Sequence, residues 1–151
     1  MRARKVSDTA ATPIQLSLRV RHPAIDPEHI SRALGMQPEH SFKAGDARPG
    51  RSSSRVATQH LQTYWLAPIG PEALSAAPRD LGIRATEGVL LQFLQHLRAQ
   101  HSFLQKIQAE EGDIALIMVV ERESAADFTL PVSIARLLVE LSISIEFKFD
   151  S

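Results

Sequence analysis

Residues 14–43 read IQLSLRVRHPAIDPEHISRALGMQPEHSFK, and the way this stretch parses decides the fold class. From Pro13 to Val20 the chain alternates. Ile14, Leu16, Leu18 and Val20 point one way, and Gln15, Ser17 and Arg19 the other, the pattern of a half-buried strand. Asp26-Pro27 then predicts a helix start, with Asp26 as N-cap and Pro27 as first helical residue. Glu28 places a negative charge at the positive helix end. Ile30, Ala33 and Leu34 form the apolar stripe, Gly35 supplies a left-handed C-cap, and Pro38 blocks continuation. A short strand around Phe42, within Glu39–Lys43, completes a βαβ unit.

The rest of the chain extends this grammar. Residues 44–60 are rich in Gly, Pro, Ser and Arg and read as an exposed loop. Leu61 to Ile69 reads as a strand holding the only Trp and Tyr, with Trp65 expected in the core and Tyr64 outside. Residues 71–84 read as loop. Thr86 is expected to cap the longest helix, whose stripe is Leu90, Leu91, Leu94 and Leu97. A second helical piece spans Ser102 to Glu110, ended by Gly112-Asp113. Ile114 to Val120 reads as a central strand, Pro131 opens a third helix, and Ser142 to Asp150 alternates as a final strand. The order is β-α-β-β-α-β-α-β. Its first and last thirds look alike: Pro27-Glu-His-Ile-Ser-Arg-Ala-Leu echoes Pro131-Val-Ser-Ile-Ala-Arg-Leu-Leu. Both duplication and the shared patterning of any two βαβ units explain the match. The expected fold is α+β, a single domain with a mostly antiparallel sheet and helices packed on one face, ferredoxin-like in flavour. Ser142, Ser144, Glu146 and Lys148 should then face water or a partner.

The chain has 151 residues, 44% apolar and 23% charged, as expected of one globular domain with a sizeable core. Residues 1–12 read as a flexible arm and 13–150 as the domain. The arm is basic, with no apolar segment behind it, so no secretory signal is expected. No apolar run is long enough for a membrane span, and the expected compartment is the cytoplasm. Cysteine is absent, which excludes disulfides and thiolate chemistry. Net charge is zero but uneven. Residues 1–60 carry ten Lys/Arg against five Asp/Glu, and residues 61–151 carry seven against twelve. Such a split marks either a partner surface or two complementary faces of one domain or dimer.

Candidate chemistry concentrates in the loop 43–55. Lys43, Arg48, Arg51 and Arg55 offer cationic forks. Gly45, Asp46 and the neighbouring backbone N–H groups could cradle a phosphate or carboxylate. The loop matches no P-loop, and the alternative is a solvated loop. The six histidines show no metal-ligand spacing, although His22, His29 and His40 flank the first helix near Asp26 and Asp46; no metal or other cofactor is expected. No nucleophile elbow occurs. Glu110-Glu111 and Glu121/Glu123 read as solvated strand ends. Aromatics make up 5% of residues, too few for a stacking platform, so nucleic acid is not expected as a partner.

An ordered set of these residues resembles a known family. The set runs from the first strand through Asp26-Pro27, Ile30-Ser31, Leu34-Gly35, Pro38, Lys43-x-Gly45-Asp46 and Trp65 to a long leucine helix and a final helix and strand. It is similar to the bacterial domain of unknown function 4279, over roughly residues 13 to 150. The resemblance implies a small α+β domain and carries no catalytic residue with it. The segments 48–60 and 71–85 depart from the pattern. Two functional expectations follow. One is a non-catalytic binding or interaction module, immunity-like or regulatory, with a protein partner or a second copy in a homodimer. The other is an enzyme or binding protein for a phosphorylated or acidic small molecule held by the loop 43–55.

Overall fold

A computed structural model describes residues 14–47, 59–70, 83–121 and 129–150. The elements are β1 (Ile14–His22), α1 (Pro27–Leu34), β2 (His40–Phe42), β3 (Thr63–Ile69), α2 (Ile83–Arg98), α3 (His101–Ala109), β4 (Asp113–Glu121), α4 (Val132–Leu141) and β5 (Ser144–Asp150). The flexible arm expected at 1–12 and most of the loops 44–60 and 71–84 lie outside the described residues.

One five-stranded sheet runs in the order β2-β3-β1-β4-β5. β1 pairs antiparallel with β3 and with β4, and β2 pairs antiparallel with β3. Those four strands, with α1 crossing from β1 to β2, form the split βαβ arrangement of a ferredoxin-like fold. β5 is added beyond β4, in parallel, through the crossover helix α4. The two look-alike units are therefore both βαβ. In the first, β3 lies between the parallel strands; in the second, they are neighbours.

Alternation explains which face of the sheet is core. Leu18, Val20, Trp65, Ala67, Leu116 and Met118 share one face and are fully buried. They pack with Ile30 and Leu34 of α1, Leu90, Phe93, Leu94 and Leu97 of α2, Leu104 and Ile107 of α3, and Ile134, Leu137, Leu138 and Leu141 of α4. Each buried Val, Leu, Ile, Phe or Met among them contributes roughly 1.5–3 kcal/mol on leaving water.

Several boundaries differ from the sequence reading, each for a physical reason. The longest helix begins at Ile83 and not at Thr86, because Arg84 and Ala85 are good helix formers and nothing interrupts them. Ser142 is not a strand residue. It caps α4 in the left-handed region, with φ 55°, and the N–H of Ile143 reaches Leu138 O at 2.9 Å to close the helix end. At the end of α3 the left-handed residue is Glu111, φ 71°. Glycine is needed one place later, where a Cβ on Gly112 would stand 2.7 Å from Arg21 O and from Ile107 Cγ2.

The other face of the sheet is not uniformly polar. Ala115 and Ile117 lie on it and are buried, as is Arg19. Arg19 donates to Glu146 Oε2 on β5 at 2.5 Å, while its Nε is buried with no partner among the described residues. The hydrogen bond from Arg19 holds the Glu146 carboxyl below its ordinary value, against an opposing push from burial. Glu146 is thus half-covered by an ion pair, whereas Ser144 and Lys148 face water. On the helix side of β5, Phe147 is 45% and Phe149 65% exposed.

Candidate functional site

The stretch 26–46 folds back on itself to line a groove of about 540 Å³. One wall is the first half of α1, with Asp26, Pro27, Glu28, Ser31 and Arg32; the other is Gln37 and Pro38, the edge strand β2 at Ser41 and Phe42, and the turn at Lys43 and Asp46.

The helix wall is set by local chemistry. Asp26 accepts from the Glu28 N–H at 2.9 Å, as an N-cap should. Ile30 and Leu34 anchor α1 to the core, and Gly35 ends it at φ 67° with its N–H on Ser31 O. Ser31 ties the helix to the sheet: its hydroxyl accepts from the Trp65 indole N–H at 3.0 Å and donates to Pro27 O at 3.3 Å. Trp65 is fully buried, as its place in β3 predicts.

The turn Lys43-Ala44-Gly45-Asp46 is fastened at four points. The Lys43 N–H donates to Asp46 Oδ2 at 3.0 Å, and the Asp46 N–H returns to Lys43 O at 3.0 Å. The Gly45 N–H reaches His60 O at 2.9 Å, with Gly45 at φ 91°. The Ala44 N–H reaches Thr63 Oγ1 at 3.0 Å, and that hydroxyl donates in turn to Ile25 O at 2.6 Å. The four N–H groups that a phosphate would use are therefore engaged within the fold. Lys43 and Asp46 of the turn both line the groove. Of the six loop residues singled out from sequence, the structure brings Lys43, Gly45 and Asp46 together. Arg48, Arg51 and Arg55 lie outside the described residues.

The histidines near α1 do not converge. His22 is buried, and its Nδ1 accepts from the N–H groups of Ala24 and Ile25, both at 2.9 Å. That leaves the proton on Nε2, which donates to Glu110 Oε1 at 2.8 Å. His29 packs on Phe103, and His40 is exposed. Among the described residues no three His, Cys, Asp or Glu side chains are placed to hold a metal.

One feature was missed in sequence. His60, Phe42 and Tyr64 form a stack on the non-helical face, with ring centroids 3.5 Å and 5.3 Å apart. Its signal lay in strand register, since Phe42 and Tyr64 are direct cross-strand partners.

The ordered set Asp26-Pro27, Ile30-Ser31, Leu34-Gly35, Lys43-x-Gly45-Asp46 and Trp65 is thus one connected structure: a capped helix, its tie to the sheet, and a pinned turn. The family comparison covers that unit and nearly everything else, matching residues 12–151. The chain belongs to the family described as a domain of unknown function (DUF4279). No curated protein matches it, and no solved structure does. For this DUF4279 domain, no described helix is long and apolar enough to cross a membrane.

Proposed function

We propose that this DUF4279 domain is a non-catalytic binding module whose groove takes an extended segment of a protein partner. The observation that carries the reading is the groove's make-up. Lys43 and Arg32 share it with Asp26, Glu28 and Asp46, beside the edge strand β2. An edge strand offers backbone pairing to an extended chain, and alternating charges of both signs read its side chains. A phosphate or other small anion would meet three carboxylates in the same groove, which disfavours it. An immunity-like or regulatory role in a bacterial cytoplasm is one use of such a module.

A photo-crosslinking residue in place of Ser41, with one in place of the exposed Gln105 as control, tests the reading in cells. The expected result is a single protein adduct from position 41 that Arg32→Glu abolishes. Equal labelling from position 105, or none from 41, defeats it. Saturable binding of inorganic phosphate that Lys43→Ala removes would instead establish the small-anion reading.

A further inference from the structure

The ring of His22 holds the chain between β1 and α1. Its Nδ1 accepts from the N–H groups of both Ala24 and Ile25, at 2.9 Å each, and its Nε2 donates to Glu110 Oε1 at 2.8 Å. Only 7% of the side chain is exposed. Both ring nitrogens are thus committed, and in one tautomer. The turn that they hold leads straight into the groove. Ile25 O accepts from Thr63 Oγ1 at 2.6 Å, and that oxygen accepts from the Ala44 N–H at 3.0 Å. The next residue, Asp26, caps α1 and lines the groove.

A second proton on this ring has one place to go, Nδ1. Both nitrogens of an imidazolium donate. A proton on Nδ1 therefore ends its bonds to Ala24 and Ile25, and sets one N–H against two others inside the fold. Glu110 lies on the Nε2 side and its side chain is 43% exposed, so it attracts the cation through water and cannot restore the lost acceptor. The turn takes up the proton by opening, and by linkage acid favours the open turn. The other charged or titratable groups on the surrounding elements are Lys106 and Glu111 by the end of α3, Asp26 at its cap, and His29 against Phe103. Arg21 and Asp113 pair with each other on the opposite face of the sheet, and across from His22 on β3 stands the neutral Thr63.

We propose that His22 is an acid-operated latch: protonation at Nδ1 frees residues 23–25 and loosens the α1 wall of the groove. The latch is a property of the turn, and its use in controlling the groove rests on the binding-module reading.

Nuclear magnetic resonance of the full chain between about pH 8 and 5 tests it. The His22 ring and the Ala24 and Ile25 amides should titrate together, and the exchange protection of both amides should fall about tenfold or more while Leu116 in the core keeps its own. His22→Asn puts an amide oxygen where Nδ1 stood, an acceptor that takes no proton in this range, so Ala24 and Ile25 should stay protected. Glu110→Gln keeps an acceptor for Nε2 and should still open in acid. A wild-type ring that titrates with both amides still protected overturns the latch. So does a ring that stays neutral throughout, or a folded His22→Asn that opens as wild type does. If His22→Asn does not fold, the wild-type titration decides. Absence of any adduct at position 41 would sink the binding-module reading and leave the latch standing, whereas these resonance outcomes bear on the latch alone.

Discussion

Removing the charge from Glu146 should harm the fold more than removing it from Arg19, although both changes break the same ion pair. The Arg19 side chain is 9% exposed and Glu146 38%. With Glu146→Gln, a guanidinium stays in the sheet face without its counter-charge. Breaking a fully buried pair in this way costs about 3–5 kcal/mol, and a surface pair about 0–1. Solvent reaches Glu146, so an intermediate value of about 2 kcal/mol applies after screening. For a domain of this size that lowers Tm by about 4–8 °C. Arg19→Met keeps most of the stem, removes the buried charge together with its unpartnered Nε, and leaves Glu146 able to turn to water, so its cost should stay below about 1 kcal/mol. The double variant should resemble Arg19→Met alone, giving a coupling near 2 kcal/mol. Urea denaturation of the four proteins measures this, provided the slope is unchanged. Acid supplies the second check. The folded Glu146 carboxyl sits below its ordinary value, so its contribution is complete above the unfolded carboxyl pKa of about 4.3 and is lost as pH falls through the folded value. The gap between wild type and Glu146→Gln should therefore close in acid. If Arg19→Met costs as much as Glu146→Gln, or the gap persists at low pH, the reasoning about the buried guanidinium is wrong.

Four further outcomes are expected. Glu111→Gly should raise stability by about 1 kcal/mol in thermal or urea unfolding, because it relieves a left-handed non-glycine residue; Gly112→Ala, one residue on, should lower it by about 2 kcal/mol through the contacts its Cβ would meet. Trp65→Phe should cost about 2–3 kcal/mol by the same measurement, having lost both buried volume and the bond to Ser31. Thr63→Val should cost about 1–3 kcal/mol and speed amide exchange at Ala44, since its hydroxyl serves both Ile25 O and the Ala44 N–H.

What was legible in the sequence was local. Asp26-Pro27 and Gly35 bound α1 because capping chemistry acts within a few residues, and alternation located β1 and β5 because side-chain period follows from backbone geometry. What was not legible depended on distant partners. Alternation gives Arg19 to solvent, but Glu146, 127 positions away in the chain, draws it into an ion pair. Ser142 continues the Ser-Ile alternation backwards, and only its φ of 55° reveals a helix cap. The Lys43–Asp46 turn has the composition of an anion loop, yet its N–H groups find His60 O and Thr63 Oγ1 well downstream. Burial of Ile117 on the non-helical face, by contrast, follows from the unbroken apolar run 114–120 that reads as a central strand.

The same accounting narrows what the groove can be for. Along residues 26–46, the polar groups of Asp26, Ser31 and Asp46 are already engaged in a cap, a helix–sheet tie and a turn. Glu28, Arg32, Gln37 and Lys43 line the same groove, and among the described residues their side chains make no hydrogen bond or ion pair. Substituting them should leave stability within about 0.5 kcal/mol, as for other surface positions. Residues that build the groove and residues free to recognise something in it are therefore different residues. A ligand that reads the first set competes with the fold for Asp26 Oδ1 and Asp46 Oδ2 and meets only the other carboxylate oxygens unengaged. One that reads the second set meets two cations, a carboxylate and an amide beside the edge strand β2, the chemistry on which the proposed extended-segment reading rests.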